Sequence, residues 1–318
     1  MLWTGTMIRA LITGGTGFIG RKVTSALLSR GWQVTVLTRS VEGAKGKLDP
    51  RVRVAGWDPA ALGTWTEEVE GLDVLVNLAG EGIFDQPWTK DRIADLKASR
   101  IAVTRNLSLA VARARKKPKL MVSASAVGVY GMHRGMHLDD ATFDESGALG
   151  EGVLADICKG WEKAADPARE AGVRVVHPRL GIVLGGDGGA LAKMSRPIKW
   201  FVGGPLGDGK QWVSWIHWKD VVDAIGFAHE KPELTGPVNF VSPSPVTMNQ
   251  LAHDIGLVLN RSARFHVPPF AVKMMLGDGP AEALLTGQRV LPNKLLGAGY
   301  AFGWPDLLPA LEDLLGPK

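Results

Sequence analysis

The sequence predicts an α/β protein in which a doubly wound parallel sheet carries a smaller C-terminal cap. Short apolar segments alternate with longer segments whose apolar residues recur at helical spacing. Such short, continuously apolar segments are typical of parallel strands whose two faces are both covered by helices. Beyond Gly181 the alternation stops and glycine and tryptophan become frequent, so the cap is expected there.

The composition excludes several classes of protein. A chain of 318 residues with 45% hydrophobic content can bury a large core. The net charge of +5 is spread out except at residues 113–119, which close a predicted helix, so no nucleic-acid partner is expected. The one cysteine, Cys158, excludes an internal disulfide and disfavours a thiolate metal site, which favours a cytoplasmic location. We find no signal peptide and no apolar run of 18 residues, so no membrane partner is expected.

The segment LITGGTGFIG, residues 11–20, has the pattern of a dinucleotide-binding turn. It joins an apolar strand to a helix, and its glycines follow the spacing Gly-x-x-Gly-x-x-Gly. The first glycine takes the positive φ of a tight turn, the second lets a phosphate approach the backbone, and the third lets the helix pack on the strand. Together with the strand that follows, this context predicts a Rossmann fold. The residues expected to hold the pyrophosphate are Gly14, Thr16, Gly17, Phe18, Ile19 and Gly20.

The end of the second strand, residues 34–39, indicates which dinucleotide binds. Arg39 stands nineteen residues after Gly20, where an NAD-specific site places an acidic residue on the ribose hydroxyls. Arg39, with Thr38 and Ser40 beside it, suits the 2′-phosphate of NADP instead. A solvated surface arginine is the alternative.

Further elements follow in order along the chain. Strands are predicted at residues 52–57, 73–80, 120–125 and 173–179, with helices at 89–115, where Thr89 is the N-cap, and at 153–170. Because ligands lie outside the carboxyl ends of parallel strands, Leu78, Ala79 and Gly80 are expected to line the middle of the cofactor. Asp58 meets the adenine or is a turn residue before Pro59.

The division into two parts is predicted from where the regular pattern ends. Residues 7–184 form the cofactor-binding domain, and residues 214–242 return to it with a helix at 219–230 and a strand at 238–242. Residues 185–213 and 245–318 form the cap.

Several motifs together resemble a known family. They are TGGTGFIG, LAG with Ser99 and Arg100 downstream, SASAVGVYG, CKGWE, RLGIVLGGDGGAL, GGPLGDGKQWVSWIHWKD and GQRVLPNKLLGAGYAF. The chain resembles the atypical extended short-chain dehydrogenase/reductases. More narrowly, it is similar to the "epimerase family", whose members include bacterial proteins named as nucleoside-diphosphate-sugar epimerases and an animal NADP-binding member.

The resemblance implies a cofactor site over much of the first domain. Thr38 and Arg39 would meet the adenosine phosphate, and Leu78 and Ala79 would flank the middle. Further contacts implied on the long helix, at the end of the fifth strand and on the nicotinamide side are Asp95, Arg100, Ser123, Pro178, Arg179 and Val183.

The catalytic pair usual in the superfamily, Tyr-x-x-x-Lys, is absent. Only two tyrosines occur, Tyr130 and Tyr300, and neither precedes a lysine at that spacing. If Glu162 marks the helix position after the pair, Leu154 and Cys158 occupy the tyrosine and lysine places. The proton donor that normally uses this cofactor is therefore missing.

Two hydroxyl groups remain as catalytic candidates. Ser125 ends the fifth strand, where a family member would hydrogen-bond a substrate oxygen, or it caps local backbone. Tyr130 is the best remaining proton donor, or it is a buried phenol with a structural partner. His217 is interpreted as a core histidine.

The cap suggests a substrate pocket. The residues proposed to wall it above the nicotinamide, apart from those used only in packing, are Met194, Trp200, Gln211, Trp212, Trp215 and Trp218.

The sequence thus predicts an NADP-dependent oxidoreductase or epimerase that acts on a small carbonyl or hydroxyl compound. The alternative is a protein that senses NADP(H) without turnover, which the missing tyrosine favours. A sugar-nucleotide epimerase is the least supported hypothesis. The chain is expected to be a monomer or a homodimer that pairs through the helices at 89–115 and 153–170.

Overall fold

The computed structural model describes residues 7–132 and 142–316, in which strands and helices alternate as predicted. The strands are β1 Arg9–Thr13, β2 Gln33–Thr38, β3 Arg53–Gly56, β4 Val74–Asn77, β5 Leu120–Ser123, β6 Ser125–Ala126, β7 Thr142–Phe143, β8 Arg174–Leu180, β9 Ile182–Leu184, β10 Trp212–Val213, β11 Trp215–His217, β12 Gly236–Phe240, β13 Val246–Thr247 and β14 Arg289–Val290. The helices are α1 Phe18–Ser29, α2 Val41–Lys45, α3 Lys90–Lys97, α4 Val103–Arg113, α5 Val153–Lys163, α6 Asp166–Glu170, α7 Gly189–Lys199, α8 Trp218–Glu230, α9 Met248–Leu259, α10 Pro269–Leu276, α11 Asp278–Leu285, α12 Asn293–Gly297 and α13 Leu307–Leu315.

The main sheet has the strand order β12-β8-β5-β4-β1-β2-β3, and its pairings within the described residues are parallel. The chain runs outward from β1 to β2 and β3, then crosses back to place β4 on the other side of β1. The predicted doubly wound α/β fold is confirmed. Its switch point lies between β1 and β4, and ligands bind in the crevice outside the carboxyl ends of the strands at such a point.

The predicted fifth strand is interrupted. Strand β5 pairs with β8 as far as Val122 opposite Val176, and pairing resumes in β6 with Ser125 opposite Arg179. Between them, the Ala124 N–H donates to Asn77 O of β4 at 3.0 Å. Pro178 lies in β8 at this gap, where the missing N–H of proline costs no pairing to β5. The interruption sets Ser125 beside Arg179.

Two predicted helices are each divided. Thr89 caps α3 as expected, with its hydroxyl accepting from Arg92 N at 3.1 Å, but a π-helical turn at Ala98–Ala102 separates α3 from α4. Such turns are inserted in helices frequently at functional sites. The helix predicted at 153–170 breaks between α5 and α6, because Pro167 is tolerated in the first turn of α6 but not in the interior of one continuous helix.

Four hydrophobic clusters lie among the described residues, and three of them define the layers of the fold. One lies on the sheet face covered by α1 and α8, and a second lies on the opposite face, covered by α4. A third, in the cap, joins α7, α9 and α13. Leu295 and Tyr300 belong to the first cluster, so residues 293–302 pack on the sheet although the sequence assigned them to the cap. The domain limits at residues 184 and 245 stay a prediction.

No helix in the described ranges 7–132 and 142–316 is long and apolar enough to cross a membrane.

Candidate active site

The glycine turn presents bare backbone at the start of α1. Gly14 has the predicted positive φ, +69°, and a Cβ there would lie 2.5 Å from Leu78 O on the neighbouring strand end. A Cβ at Gly20 would collide with Gly14 O, so only glycine lets the helix approach the strand this closely. Gly17, the N-cap residue, is exposed and has no side chain to cap the helix. The first-turn N–H groups are therefore left to an anion, which is the geometry that a pyrophosphate requires.

A buried polar network supports the turn from below. Asn77 at the end of β4 accepts a hydrogen bond from the Thr13 hydroxyl at 2.7 Å. Its amide nitrogen donates to Thr104 at 2.8 Å and to Ser123 at 3.3 Å. These four side chains are buried, so the hydroxyl of Ser123, a predicted cofactor contact, is engaged inside the protein. The network fixes the strand ends that flank the switch point.

The end of β2 exposes one cation. Arg39 is exposed, and Thr38 next to it is half-buried. The Ser40 hydroxyl caps α2 by accepting from Gly43 N at 3.2 Å. The backbone N–H of Ser40 donates to the Thr38 hydroxyl, also at 3.2 Å. This turn holds Arg39 outside the strand end. Asp58 accepts from Ala60 N at 2.9 Å, in the local turn that was one of its two interpretations.

The loop after β4 is fastened by two arginines. Arg100 is 9% exposed, donates to Glu81 O at 2.6 Å and lies 5.2 Å from the ring of Trp161. A Cβ at Gly80 would come within 3.2 Å of its guanidinium carbon, so Arg100 lies directly against the segment Leu78–Gly80. Arg92 pairs with the Glu81 carboxylate and donates to Gly82 O at 2.8 Å. The structure thus brings Arg100 to the predicted middle of the cofactor.

Asp95 lies apart from this group. It is exposed on α3, whereas Arg100 is buried beyond the π-helical turn. In a regular α-helix, residues four and five apart such as Asp95, Ser99 and Arg100 would share most of one face, but the π-helical turn changes the spacing between α3 and α4.

The cap approaches the start of α1 through glycines. Cβ atoms at Gly185, Gly188 and Gly189 would lie 2.5, 2.7 and 2.9 Å from the Phe18 ring, so this loop covers Phe18 closely. Lys22 of α1 pairs with Asp187 of the same loop at 2.7 Å. Val183, in β9 just before it, is 8% exposed.

The carboxyl ends of β6 and β8 carry a chain of buried polar side chains. Ser125 donates to Glu162 Oε1 at 2.7 Å, and Arg179 holds both Glu162 oxygens through Nε at 2.8 Å and Nη2 at 2.9 Å. Arg179 also donates to the Tyr130 hydroxyl at 3.0 Å, which donates to Asn239 Oδ1 at 2.8 Å. Burial alone would raise the pKa of Glu162, but the bonds from Arg179 and Ser125 outweigh it and hold that pKa below its ordinary value. The carboxylate is therefore charged.

Both predicted catalytic hydroxyls, of Ser125 and Tyr130, belong to this hydrogen-bonded network of side chains. Ser125 is 1% exposed and Tyr130 is 0% exposed. Burial raises the pKa of Tyr130 above its ordinary value. The geometry favours the structural interpretation of Tyr130, because its hydroxyl already serves two side chains and reaches no open surface. Ser125 meets a carboxylate rather than local backbone.

The two residues predicted at the places of the catalytic pair are apolar or buried. Leu154 of α5 packs on the turn after β6, where a Cβ at Gly128 would lie 3.3 Å from it. Cys158, one turn later, is 4% exposed. Burial, together with the Glu162 carboxylate, raises the pKa of its thiol to about 11. Neither residue supplies the acid that the usual pair would.

The predicted tryptophan wall does not form as a unit. Trp215 is buried in the cap core and donates to Ser244 O at 2.9 Å, while Trp200 is 75% exposed. Trp218 lies under Lys22, 4.4 Å from ring centroid to Nζ, and Trp212 lies under Arg289 at 4.7 Å. The number of tryptophans in a segment does not indicate where their side chains point. In the fold, these side chains pack against different partners. The Gln211 amide donates to Leu206 O and Leu284 O, inside the cap.

His217 has a structural role. It is fully buried, its Nδ1 accepts from Lys219 N at the start of α8, and its ring stacks on Trp304 at 4.1 Å. Burial lowers its pKa to about 4, so it is neutral near pH 7. This agrees with the interpretation as a core histidine.

Comparison with known proteins identifies the family of this fold. Residues 10–241 match the model of the NAD dependent epimerase/dehydratase family. The chain belongs to that family. It is an NAD(P)-binding protein of the epimerase type, and the resemblance drawn from the motifs is confirmed. Residues 267–314 match a further model, DUF1731, a domain of unknown function.

Relatives of this epimerase-family chain cover nearly all of it. The chloroplastic epimerase family protein SDR39U1 homolog of Arabidopsis thaliana is 38% identical over 96% of this chain and 86% of its own length. Epimerase family protein YfhF of Bacillus subtilis is 34% identical over 96% of this chain and 98% of its own. The structure of human epimerase family protein SDR39U1 (isoform2), solved with NADPH, has a TM-score of 0.84 at 33% identity and covers 96% of this chain and 99% of that one.

Sequence reasoning missed two residues of the epimerase-family site and underused a third. Asn77 and Asn239 each interrupt an apolar strand, and each is fully buried among side-chain partners. A polar residue in a buried strand needs a partner, which is the signal that could have found them. Glu162 was used only to locate the places of the catalytic pair. Because Arg179 lies in an apolar strand, its buried charge required a carboxylate partner, which Glu162 provides.

Proposed function

We propose that this chain binds NADP(H) and uses it to reduce or oxidise a small carbonyl or hydroxyl compound. The observation that carries the proposal is that the glycine turn is open and that Arg39 is exposed at the end of β2. The turn leaves backbone N–H groups for the pyrophosphate, and Arg39 stands exposed where the ribose of the adenosine would lie. The NADPH bound to human SDR39U1 supports the same choice of cofactor.

The residues of this chain fit the proposed cofactor from its 2′-phosphate to the segment that would flank its middle. Gly14, Gly17 and Gly20 form the cradle of the pyrophosphate, since a Cβ at the first or third would meet backbone. Arg39 and Ser40 would hold the 2′-phosphate, and Arg100 would hold the loop that flanks the middle. NADP(H), when bound, supplies or accepts a hydride at its nicotinamide ring.

The chemistry proposed for the chain itself is orientation of the substrate oxygen. Ser125 has its hydroxyl hydrogen committed to Glu162, and Glu162 is in turn held by Arg179. This arrangement fixes the hydroxyl oxygen of Ser125 and orients a lone pair, so that a substrate hydroxyl would donate to it. Proton transfer from Tyr130 stays a prediction, which its burial does not favour.

Cofactor titration tests the proposal. By calorimetry, NADPH should bind at least tenfold more tightly than NADH, because a charge-assisted hydrogen bond is worth about 1.5–3 kcal/mol. Arg39→Asp should invert that preference, while Arg53→Asp, a change of the same charge on the neighbouring strand β3, should leave it unchanged. Equal affinities for the two cofactors, or an unaltered ratio in Arg39→Asp, would refute the assignment of NADP.

A second candidate function is sensing of NADP(H) without turnover. The observation in its favour is the closure of the site, since Leu154 and Cys158 stand at the places of the catalytic pair and Ser125 and Tyr130 are buried. Reduction of NADP⁺ measured with a panel of alcohols separates the two, because an alcohol can donate to the Ser125 oxygen, whereas a carbonyl oxygen only accepts and the Ser125 hydrogen is held by Glu162. Turnover that Ser125→Ala abolishes without weakening NADPH binding supports catalysis, whereas tight binding with no turnover supports sensing.

A further inference from the structure

Strand β14 brings one arginine between the cap and the candidate active site. It pairs with β7, with Arg289 opposite Thr142. The Gln288 amide beside it donates to Gly131 O, at the end of the turn that follows Ser125. On the other side, Ser214 Oγ donates to Gln288 O at 2.7 Å, and Ser214 O accepts from Ile182 N at 2.8 Å, just beyond β8. Arg289 thus adjoins the loops that follow β6 and β8.

The side chain of Arg289 is directed toward the cap. Its neighbour Val290 is buried in the cluster that contains Tyr130 and Cys158, below the site. Successive side chains of a strand point to opposite sides, so Arg289 points away from that cluster. Its guanidinium carbon lies 4.7 Å from the ring centroid of Trp212, so a cation–π contact holds the group against the cap.

This guanidinium has a polar atom without a partner. Its Nε is buried and has no hydrogen bond to the residues that the structure describes, and no carboxylate of those residues lies within ion-pair distance of the group. A donor that has lost water and gained no acceptor costs free energy, more so when it is charged. The side chain as a whole is half-buried, so its outer nitrogens remain within reach of a ligand.

Two other arginines show what such an edge binds in this protein. Arg179 holds Glu162 through Nε and Nη2, at 2.8 and 2.9 Å. Arg51 holds Asp49 through the same two atoms, at 2.9 and 2.8 Å. The corresponding edge of Arg289 faces no carboxylate among the residues that the structure describes.

We propose that Arg289, held on Trp212, binds an oxyanion of the substrate, so that the substrate is a carbonyl or hydroxyl compound bearing a carboxylate or phosphate group. This deepens the proposed function and rests on it. The planar guanidinium matches such a group through two parallel hydrogen bonds, and a carbonyl carbon close to the anion would then face the ends of β6 and β8.

The test observes Arg289 itself. The side-chain Nε–H signals of 15N-arginine-labelled protein, saturated with NADP⁺ so that the pyrophosphate site is filled, are followed by NMR during titration. The signal of Arg289 is the one lost in Arg289→Lys. The probes are pyruvate, inorganic phosphate and neutral acetone, each up to tens of millimolar.

Pyruvate or phosphate should shift the Arg289 signal to saturation, and acetone should not. A shift with pyruvate alone identifies a carboxylate site, and one with phosphate alone identifies a phosphate site. Arg289→Gln should weaken binding of the effective anion at least tenfold by calorimetry, while Arg264→Gln, at an exposed arginine of the cap, should not. An Arg289 signal that neither anion moves, or equal anion affinity in Arg289→Gln, overturns the proposal.

NADPH affinity separates this inference from the proposed function. Arg289→Gln should bind NADPH as the parent does, which also shows that the variant is folded. If the parent itself binds no NADPH, the proposed function fails, and the same titration of the unloaded protein still decides whether Arg289 binds an oxyanion.

Discussion

At the β1–β4 end of the sheet's carboxyl edge the site is formed by backbone, whereas at the β6–β8 end it is formed by side chains. Gly14, Gly17 and Gly20 lie within one turn of chain and leave N–H groups open. At the other end, Tyr130 and Asn239 are hydrogen-bonded although they stand 109 residues apart. The first end is open to a ligand before one binds, and the second is closed by its own partners.

This difference teaches where each end is sensitive. A backbone site depends on the space around its glycines, since any Cβ there meets other backbone. A side-chain network depends on complete pairing, because a charge left alone in the interior is costly. The two ends should therefore fail in different ways when they are altered.

The largest effect is expected at Glu162. Glu162→Ala removes the carboxylate that holds Arg179, whose side chain is 3% exposed, and leaves an unpaired buried charge. Loss of one partner of a buried pair costs about 3–5 kcal/mol of unfolding free energy. Urea unfolding of the cofactor-free protein measures this.

Glu42→Ala is the matched control, since its ion pair with Lys45 is exposed at the surface. It should cost at most about 0.5 kcal/mol. Equal losses in the two variants would show that the β6–β8 end is not held by its side-chain network.

A smaller effect is expected from Gly14→Ala. Both Gly14 and Gly31 have positive φ, +69° and +79°, but a Cβ at Gly14 meets Leu78 O at 2.5 Å, whereas at Gly31 it meets nothing within 4 Å. Gly31→Ala should cost about 1 kcal/mol through backbone strain alone. Gly14→Ala should cost about 1–3 kcal/mol more and should weaken NADPH binding.

Urea unfolding and NADPH calorimetry on the two glycine variants check this. If they are equally stable and bind NADPH equally well, the close approach of β1 to the end of β4 does not define the cofactor end.

The β1–β4 end could be predicted because the residues that form its turn are close together in sequence. Strand, glycine turn and helix follow one another within residues 9–29, so the spacing alone indicates the geometry. The same holds for the order of strands and helices and for the Thr89 cap. The break in the fifth strand was missed because it depends on another element: β5 ends before Ala124, whose N–H donates to Asn77 of β4.

The β6–β8 end could not be predicted in the same way. Ser125 was predicted to end the fifth strand, but it begins β6 after the break, and no sequence spacing indicates its distance to Glu162, which comes from α5. Nor does the sequence say that Tyr130 faces Arg179 rather than a substrate. Those contacts depend on how α5 and β8 pack against each other. After the break between β5 and β6, the alternation of side chains along a strand no longer indicates which way a side chain points.

Chemical labelling of Cys158 compares how open the two ends are. Gly17 is exposed, whereas Cys158 is 4% exposed and its pKa is raised from 9.0 to about 11. At pH 8 that rise alone lowers the thiolate fraction roughly a hundredfold, so iodoacetamide should label the native protein at least that much more slowly than a free thiol with the ordinary pKa. Mass spectrometry of this sole cysteine gives the rate.

Glu162→Ala should accelerate this labelling, because it opens the network beside the thiol, and Glu42→Ala should not. Rapid labelling of the unaltered protein would contradict a closed β6–β8 end.

The pH dependence of stability distinguishes the ends last, and by the smallest amount. The pKa of Glu162 is lowered from 4.5 in the folded protein, so the unfolded chain binds its proton first as the pH falls. The stability that Glu162 contributes is then fully present above about pH 4.5 and declines below it, by at most about 1.4 kcal/mol per pH unit.

The difference in unfolding free energy between the parent and Glu162→Gln should accordingly be constant from pH 7 to 5 and shrink below 4.5. The difference between the parent and Gly14→Ala should not change with pH, since no titrating group is involved. Urea unfolding across that range measures both, and a parallel decline of the two differences would mean that Glu162 is not the carboxylate whose charge holds this end together.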